Sequence, residues 1–187
     1  MMPRLLVVTD RSQLPLGRSL LDTLRACVGA GAEAVVVREL DEPYAARAAL
    51  VREVAAMGAQ AIAARTVMPG ASGVHLSARG ARVAGRFGRS CHSAAAVARA
   101  AEEGAAYATL SPYTRTSSKR GYGPPLSPAH YRTAARQGIP VYALGGITPD
   151  NAAAAVAGGA HGVAVMGAVM RAADPGAVVS GLLEAMP

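Results

Sequence analysis

The sequence predicts an α/β chain that closes into a (β/α)8 TIM barrel: one domain over residues 1–187, shortened in its third and fourth units. Three observations predict it. A short run of β-branched residues followed by an Ala-, Arg- and Glu-rich stretch recurs eight times, at about 23 residues per unit. Most of the runs are apolar without alternation, as parallel strands covered on both faces should be. The chain's 187 residues fall below the roughly 250 typical of such barrels, and the shortfall lies between runs three, four and five.

The predicted strands occupy 5–9, 34–39, 60–65, 73–77, 88–92, 107–111, 140–144 and 162–167. Helices fill 18–28, 43–57, 93–103, 128–137, 149–156 and 175–186. Thr148-Pro149 and Asp174-Pro175 place a capping side chain before a proline at the first helical position, and Gly29, Gly58, Gly104, Gly138 and Gly158 punctuate the ends. Units three and four leave only 67–72 and 78–87 for their helices. An open doubly wound sheet is the competing architecture, but Thr9-Asp10-Arg11-Ser12 follows the first strand where a glycine-rich dinucleotide turn would stand.

Composition narrows the partners. The net charge is +7, from 19 Lys plus Arg against 12 Asp plus Glu, and Lys119 is the one lysine. Aromatics make up 4% with no Trp, too few for a base-stacking platform. Arg79, Arg82, Arg86 and Arg89 share helical spacing, but Gly80, Gly85 and Gly88 interrupt them, so a solvated face is expected in place of a nucleic-acid surface. No segment approaches the ~18 apolar residues of a membrane span, and the start of the chain carries no cleavable signal pattern. The expectation is a cytoplasmic protein without nucleic-acid or membrane partners. Cys27 and Cys91 suggest neither a disulfide framework nor a metal knuckle.

In such a barrel the chemistry sits at the carboxyl ends of the strands, and the loops after strands seven and eight seat phosphate. Gly145, Gly146 and Gly167 fall there, where backbone must approach an anion closely. The long loop after strand six carries Thr116, Ser117, Ser118 and Lys119, three hydroxyls and a compact ammonium suited to phosphate oxygens. Arg38 follows three consecutive valines, Val35 to Val37, either in an ion pair with Glu39 or Asp10 or as a fork for a substrate carboxylate or phosphate. Ser90 and His92 share one face of strand five, and His92 is the candidate general acid/base, with a satisfied structural histidine as the alternative. Cys91 lies on the opposite face, which argues against a thiolate-imidazole pair. His75 is expected to be a packed or hydrogen-bonded barrel residue.

Val8-Thr9-Asp10-Arg11, Val37-Arg38-Glu39, Gly73-Val74-His75-Leu76, Gly88-Arg89-Ser90-Cys91-His92-Ser93, Thr116-Ser117-Ser118-Lys119, Ala143-Leu144-Gly145-Gly146-Ile147-Thr148 and Gly162-Val163-Ala164-Val165-Met166, in this order, resemble the thiamine phosphate synthase and thiazole tautomerase superfamily. The resemblance implies a (β/α)8 barrel that binds a thiazole phosphate. One branch joins an aminopyrimidine diphosphate to thiazole phosphate with loss of diphosphate, using Mg2+; the other isomerises thiazole carboxylate phosphate without metal. The synthase's Asn-Asp-Arg after strand three is here Ala63-Ala64-Arg65, and its acidic ligand after strand four falls in Ser77-Ala78-Arg79-Gly80, so both expected Mg2+ carboxylates are absent. The Gln and Lys that flank the family's arginine are replaced by Val36 and Leu40. The tautomerase's histidine after strand six is Pro112, whereas its Gly-Arg-Ser-x-His-Ser motif is present at 88–93.

The leading expectation is therefore a tautomerase-like isomerase of thiamine biosynthesis with no cofactor. Ser90 and His92 would act at the reacting centre, and Arg38, Thr116, Ser118, Lys119, Gly145, Gly146 and Gly167 would hold the ligand. The alternatives are thiamine phosphate synthesis with a rearranged Mg2+ site and a non-catalytic sensor of thiazole or thiamine phosphate. A small phosphorylated heterocycle is the expected partner, with a homodimer left open.

Overall fold

Short apolar runs alternating with helix-forming stretches leave each strand two faces to bury, and closure satisfies both. A computed structural model describes residues 2–115 and 124–186. In it β1 (Leu5–Val8), β2 (Ala34–Val37), β3 (Gln60–Ala64), β4 (Gly73–Leu76), β5 (Phe87–Cys91), β6 (Tyr107–Leu110), β7 (Val141–Leu144) and β8 (Gly162–Val165) pair in sequence order. Every pairing is parallel, and Leu5 to Val7 of β1 meet Val163 to Val165 of β8 to close the barrel. The outer layer contains α1 (Leu20–Gly29), α2 (Tyr44–Ala56), α3 (Ala94–Glu102), α4 (Pro128–Ala135), α5 (Pro149–Ala157), α6 (Gly167–Met170) and α7 (Pro175–Glu184). Local chemistry sets their starts: Ser93 Oγ accepts from Ala96 N at 3.1 Å, and Asp174 Oδ1 from Ala177 N at 2.9 Å.

Strand alternation divides the buried residues in two. Val7, Val35, Val37, Val74, Leu76, Cys91 and Leu110 face outward under the helices. Leu6, Val8, Ala34, Val36, Ile62, Ala64, Tyr107, Tyr142 and Ala164 fill the interior. Two tyrosines therefore do the filling that small residues on β2, β3 and β8 cannot. The Tyr107 ring needs the missing side chain of Gly88, where an added Cβ would lie 2.1 Å from its Cζ. Tyr142 meets Tyr107 edge to face, centroids 5.7 Å apart.

Units three and four correct the expectation of short helices. Among the described residues β3 passes to β4 and β4 to β5 with no helix at all. Segment 65–72 contains Pro69-Gly70, and 77–86 contains two glycines in ten residues, so helix nucleation has little to build on. The arginines expected on one helix face are divided accordingly: Arg89 lies in β5, and Arg79, Arg82 and Arg86 lie in the preceding loop. Buried guanidinium groups fasten both irregular segments. Arg47 of α2 donates to Ala64 O at the end of β3. Arg89 donates to Ser77 O at 3.1 Å and Gly80 O at 2.8 Å, and its other nitrogen pairs with Glu103. No helix among the described residues is long and apolar enough to cross a membrane.

Candidate active site

The carboxyl ends of the strands open on one mouth, whose floor is polar between β4 and β6. His75 on β4 faces the interior, its Nδ1 2.9 Å from Tyr107 Oη and its Nε2 2.9 Å from Ser90 Oγ. Burial holds the imidazole pKa down at about 4, aided by the positive charges of Arg38 and Arg89, so His75 is neutral at pH 7. A neutral imidazole donates from one nitrogen and accepts at the other. In the tautomer where Tyr107 O–H donates to Nδ1, Nε2–H donates to Ser90 Oγ and frees the serine proton; the other tautomer reverses both bonds. Burial raises the Tyr107 pKa, which keeps that phenol protonated. Thr109 Oγ1, opposite Ser90 in register, is buried without a hydrogen-bond partner among the described residues.

His75 is thus the hydrogen-bonded barrel residue the sequence suggested, and Ser90 is its partner. Ser90 and His92 do not form a pair of their own. His92 Nδ1 lies 3.1 Å from both the carbonyl oxygen and Oγ of Ser111, across the junction between strands five and six. A proton on Nδ1 satisfies the carbonyl, which fixes the tautomer at that acceptor.

Charge collects on the loops after β1 and β2. Arg38 N donates to Thr9 Oγ1 at 2.8 Å, which turns its side chain over the mouth, and its Nη1 stands 3.7 Å from Asp10 Oδ2 with 43% of the side chain exposed. Of the two ion pairs weighed for Arg38, the one with Asp10 forms, loosely. Glu39 goes to Arg11, whose backbone N and Nη1 both reach it at 3.2 Å. Arg11 also binds Asp41 at 2.8 Å and Glu42 at 3.0 Å. Asp10 accepts from Ser12 Oγ at 2.6 Å and Gln13 Nε2 at 2.7 Å. Burial pushes the Asp10 pKa up, but those hydrogen bonds and the Arg38 charge outweigh it, and the net shift is downward.

Gly145, Gly146 and Gly167 lie at the ends of β7 and β8, as expected, and the structure supplies packing reasons for each. Gly145 and Gly146 have φ of 101° and 68°, and a Cβ on Gly146 would meet Thr114 Cγ2 at 2.3 Å. The pair therefore admits the start of the loop after β6. A Cβ on Gly167 would lie 2.3 Å from Arg171 Nη1, so the Arg171 guanidinium rests on that glycine. Arg171 also donates to Gln13 Oε1, which links β8 through Gln13 and Asp10 to Arg38. Sequence reasoning missed Arg171; its place a few residues past the last strand was the available signal. Thr116, Ser118 and Lys119 lie outside the described residues.

The donor set does not suit Mg2+. The described residues contain no group of three or more His, Cys, Asp or Glu side chains able to hold a metal. Ala63 and Ala64 end β3 and Arg65 follows it, and Ser77 to Gly80 follow β4, without a carboxylate. Arg65 adopts a left-handed backbone, φ 65°, and its N–H donates to His75 O at 2.8 Å. That conformation is uncommon for a residue other than glycine and turns the chain sharply at the rim.

A model of the family described as thiamine monophosphate synthase matches residues 5–169. A thiamine-phosphate synthase from Methanoculleus marisnigri is 35% identical over 198 residues, covering 96% of this chain and 93% of that protein. One from Roseiflexus castenholzii is 34% identical over 196 residues, covering 95% and 86%. Among solved structures, thiamine phosphate pyrophosphorylase from Pyrococcus furiosus superposes with a TM-score of 0.84 at 25% identity, covering 97% of this chain and 94% of that one.

Proposed function

Because the chain belongs to the thiamine monophosphate synthase family, we propose that it is a transferase of thiamine biosynthesis, joining an aminopyrimidine diphosphate to a thiazole phosphate with release of diphosphate. One observation carries this reading: full-length relatives bearing that name share a third of their residues with this chain. It reverses the order of the two enzymatic expectations, since these relatives are named as synthases and not as isomerases. In the reaction the methylene carbon of the pyrimidine loses its bond to the diphosphate oxygen, which departs with the electron pair. The thiazole nitrogen lone pair forms the new C–N bond.

Within this reading, Ser90 donates its hydroxyl proton into the mouth, held in that role by neutral His75 below it. Arg38 projects over the same space as a fork for an anionic group. Gly145, Gly146 and Gly167 border the phosphate seat, together with Thr116, Ser118 and Lys119 on sequence grounds. Incubation with both substrates tests the proposal. Formation of thiamine phosphate with stoichiometric diphosphate supports it, and no product under any divalent-metal condition refutes it.

A second reading, isomerisation of a thiazole carboxylate phosphate, has its own supporting observation. No group of three or more His, Cys, Asp or Glu side chains among the described residues could hold a metal, and His92 sits on Ser111 with its tautomer fixed. Aromatisation of that substrate, lost in His92→Ala, would favour it.

A further inference from the structure

The mouth is divided sharply by charge. All the acidic residues on its first two loops are committed: Asp10 to Ser12, Gln13 and Arg38, and Glu39, Asp41 and Glu42 to Arg11. Beyond β3 the acids are confined to helices and their caps, Glu102, Glu103, Asp150, Asp174 and Glu184. The segments 65–72, 77–86, 92–93 and 111–127 contain no Asp or Glu, and neither do 145–148 or 166–173. Two arginines with weak acidic partnering flank the first strand's loop, Arg38 after β2 and Arg171 after β8. Arg38 is held only loosely, 3.7 Å from Asp10. Arg171 rests on Gly167 with a neutral amide, Gln13, as its hydrogen-bond partner. Seating Mg2+ on Asp10 would require stripping two short hydrogen bonds and an ion pair from one carboxylate, with no second carboxylate on the facing arc to complete the shell.

We propose that this chain binds the diphosphate of its substrate without Mg2+, through the guanidinium groups of Arg38 and Arg171, which are tied together by Asp10 and Gln13. The inference rests on the transferase reading and adds how the leaving group's charge is met. When the C–O bond breaks, the electron pair and the new negative charge stay on diphosphate. Two guanidinium forks opposite that oxygen stabilise it with charge-assisted hydrogen bonds. The Asp10 and Gln13 side chains hold the two forks in place before the anion arrives. Arg171 is the residue this assigns anew.

Inorganic pyrophosphate is the probe, titrated calorimetrically into the full chain in EDTA and in Mg2+. The expected result is binding in EDTA that is no weaker than in Mg2+. Arg171→Gln and Arg38→Gln should each weaken it by about tenfold or more, the loss of one charge-assisted contact. Arg171→Lys should recover part of the loss, and thermal melts of all variants should match the wild type because both side chains are exposed. Mn2+ added without pyrophosphate should show no bound signal by electron paramagnetic resonance. Binding seen only with Mg2+ overturns the inference and leaves the transferase reading standing. Binding in EDTA that ignores both substitutions overturns the arginine assignment. No pyrophosphate binding in either condition, with thiazole phosphate still bound, overturns the transferase reading itself and this inference with it.

Discussion

Gly88→Ala tests whether the barrel interior supports the site as described. An alanine Cβ would lie 2.1, 2.3 and 2.6 Å from Cζ, Cε1 and Cε2 of Tyr107. Ordinary carbon contact is about 3.5 to 4.0 Å, so the ring has to move by about 1.5 Å. It has little room: His75 stacks on it at 5.5 Å between centroids, and Tyr142 meets its edge at 5.7 Å. Overpacking of this kind costs about 1 to 3 kcal/mol. The ring's displacement also breaks the buried bond to His75, adding about 1 to 3 kcal/mol. The expected total is roughly 2 to 6 kcal/mol, read as a lower urea midpoint at unchanged slope and as a melting temperature lower by roughly 4 to 24 °C. Substrate affinity should fall with it, because His75 loses the Tyr107 hydroxyl that holds its ring against Ser90. In a Tyr107→Leu background the same substitution should cost under about 1 kcal/mol, since the two changes share one space. A Gly88→Ala protein within about 0.5 kcal/mol of wild type, or an undiminished cost in the Tyr107→Leu background, would refute the packing argument.

Three further outcomes are expected. His75 is held neutral at a pKa of about 4 against about 6.5 unfolded, so the unfolded chain binds the extra proton between those values. Stability is therefore full above pH 6.5 and falls as pH drops toward 4, by up to roughly 3 kcal/mol; His75→Leu should flatten that slope in urea titrations, and an unchanged slope would count against it. Arg89→Met removes the anchor of Ser77 O and Gly80 O, and should cost about 2 kcal/mol while making 77–86 the first segment cut in limited proteolysis. Burial pushes the Cys27 thiol to about 12 and the Cys91 thiol to about 11, so neither should react with a disulfide reagent at pH 8 until the chain unfolds.

The fold was legible because its signals are local. Most strands of the barrel fall on a run of β-branched or small apolar residues, and six of the seven helices were placed to within about two residues by cap, proline and glycine. The two errors have a shared cause. Segments 65–72 and 77–86 carry weak helical pattern, and what fastens them is distant: Arg47 on α2 for one, Arg89 on β5 for the other. A guanidinium that donates to carbonyls 9 to 17 residues away leaves no periodic trace. The four-residue α6 is likewise too short to show one.

The site was legible to the extent that it depends on which face of a strand a residue occupies. Alternation put Ser90 and His92 on one side; it could not say that Ser90 belongs to His75, or that His92, one residue past the end of β5, belongs to Ser111, because those pairings follow from register between strands. The charge pattern makes the same point at the rim. That the segments 65–72, 77–86, 92–93, 111–127, 145–148 and 166–173 carry no acid is a matter of reading the sequence. That the acids on the first two loops are already occupied is not, since Arg11 reaches 28 to 31 residues along the chain to bind Glu39, Asp41 and Glu42. A rearranged synthase site would have to draw its metal ligands from these carboxylates. The structure gives each of them its partner, while Arg38 is held only by a loose pair with Asp10 and Arg171 by the neutral amide of Gln13, and it is on these two guanidinium groups that the proposed diphosphate contact rests.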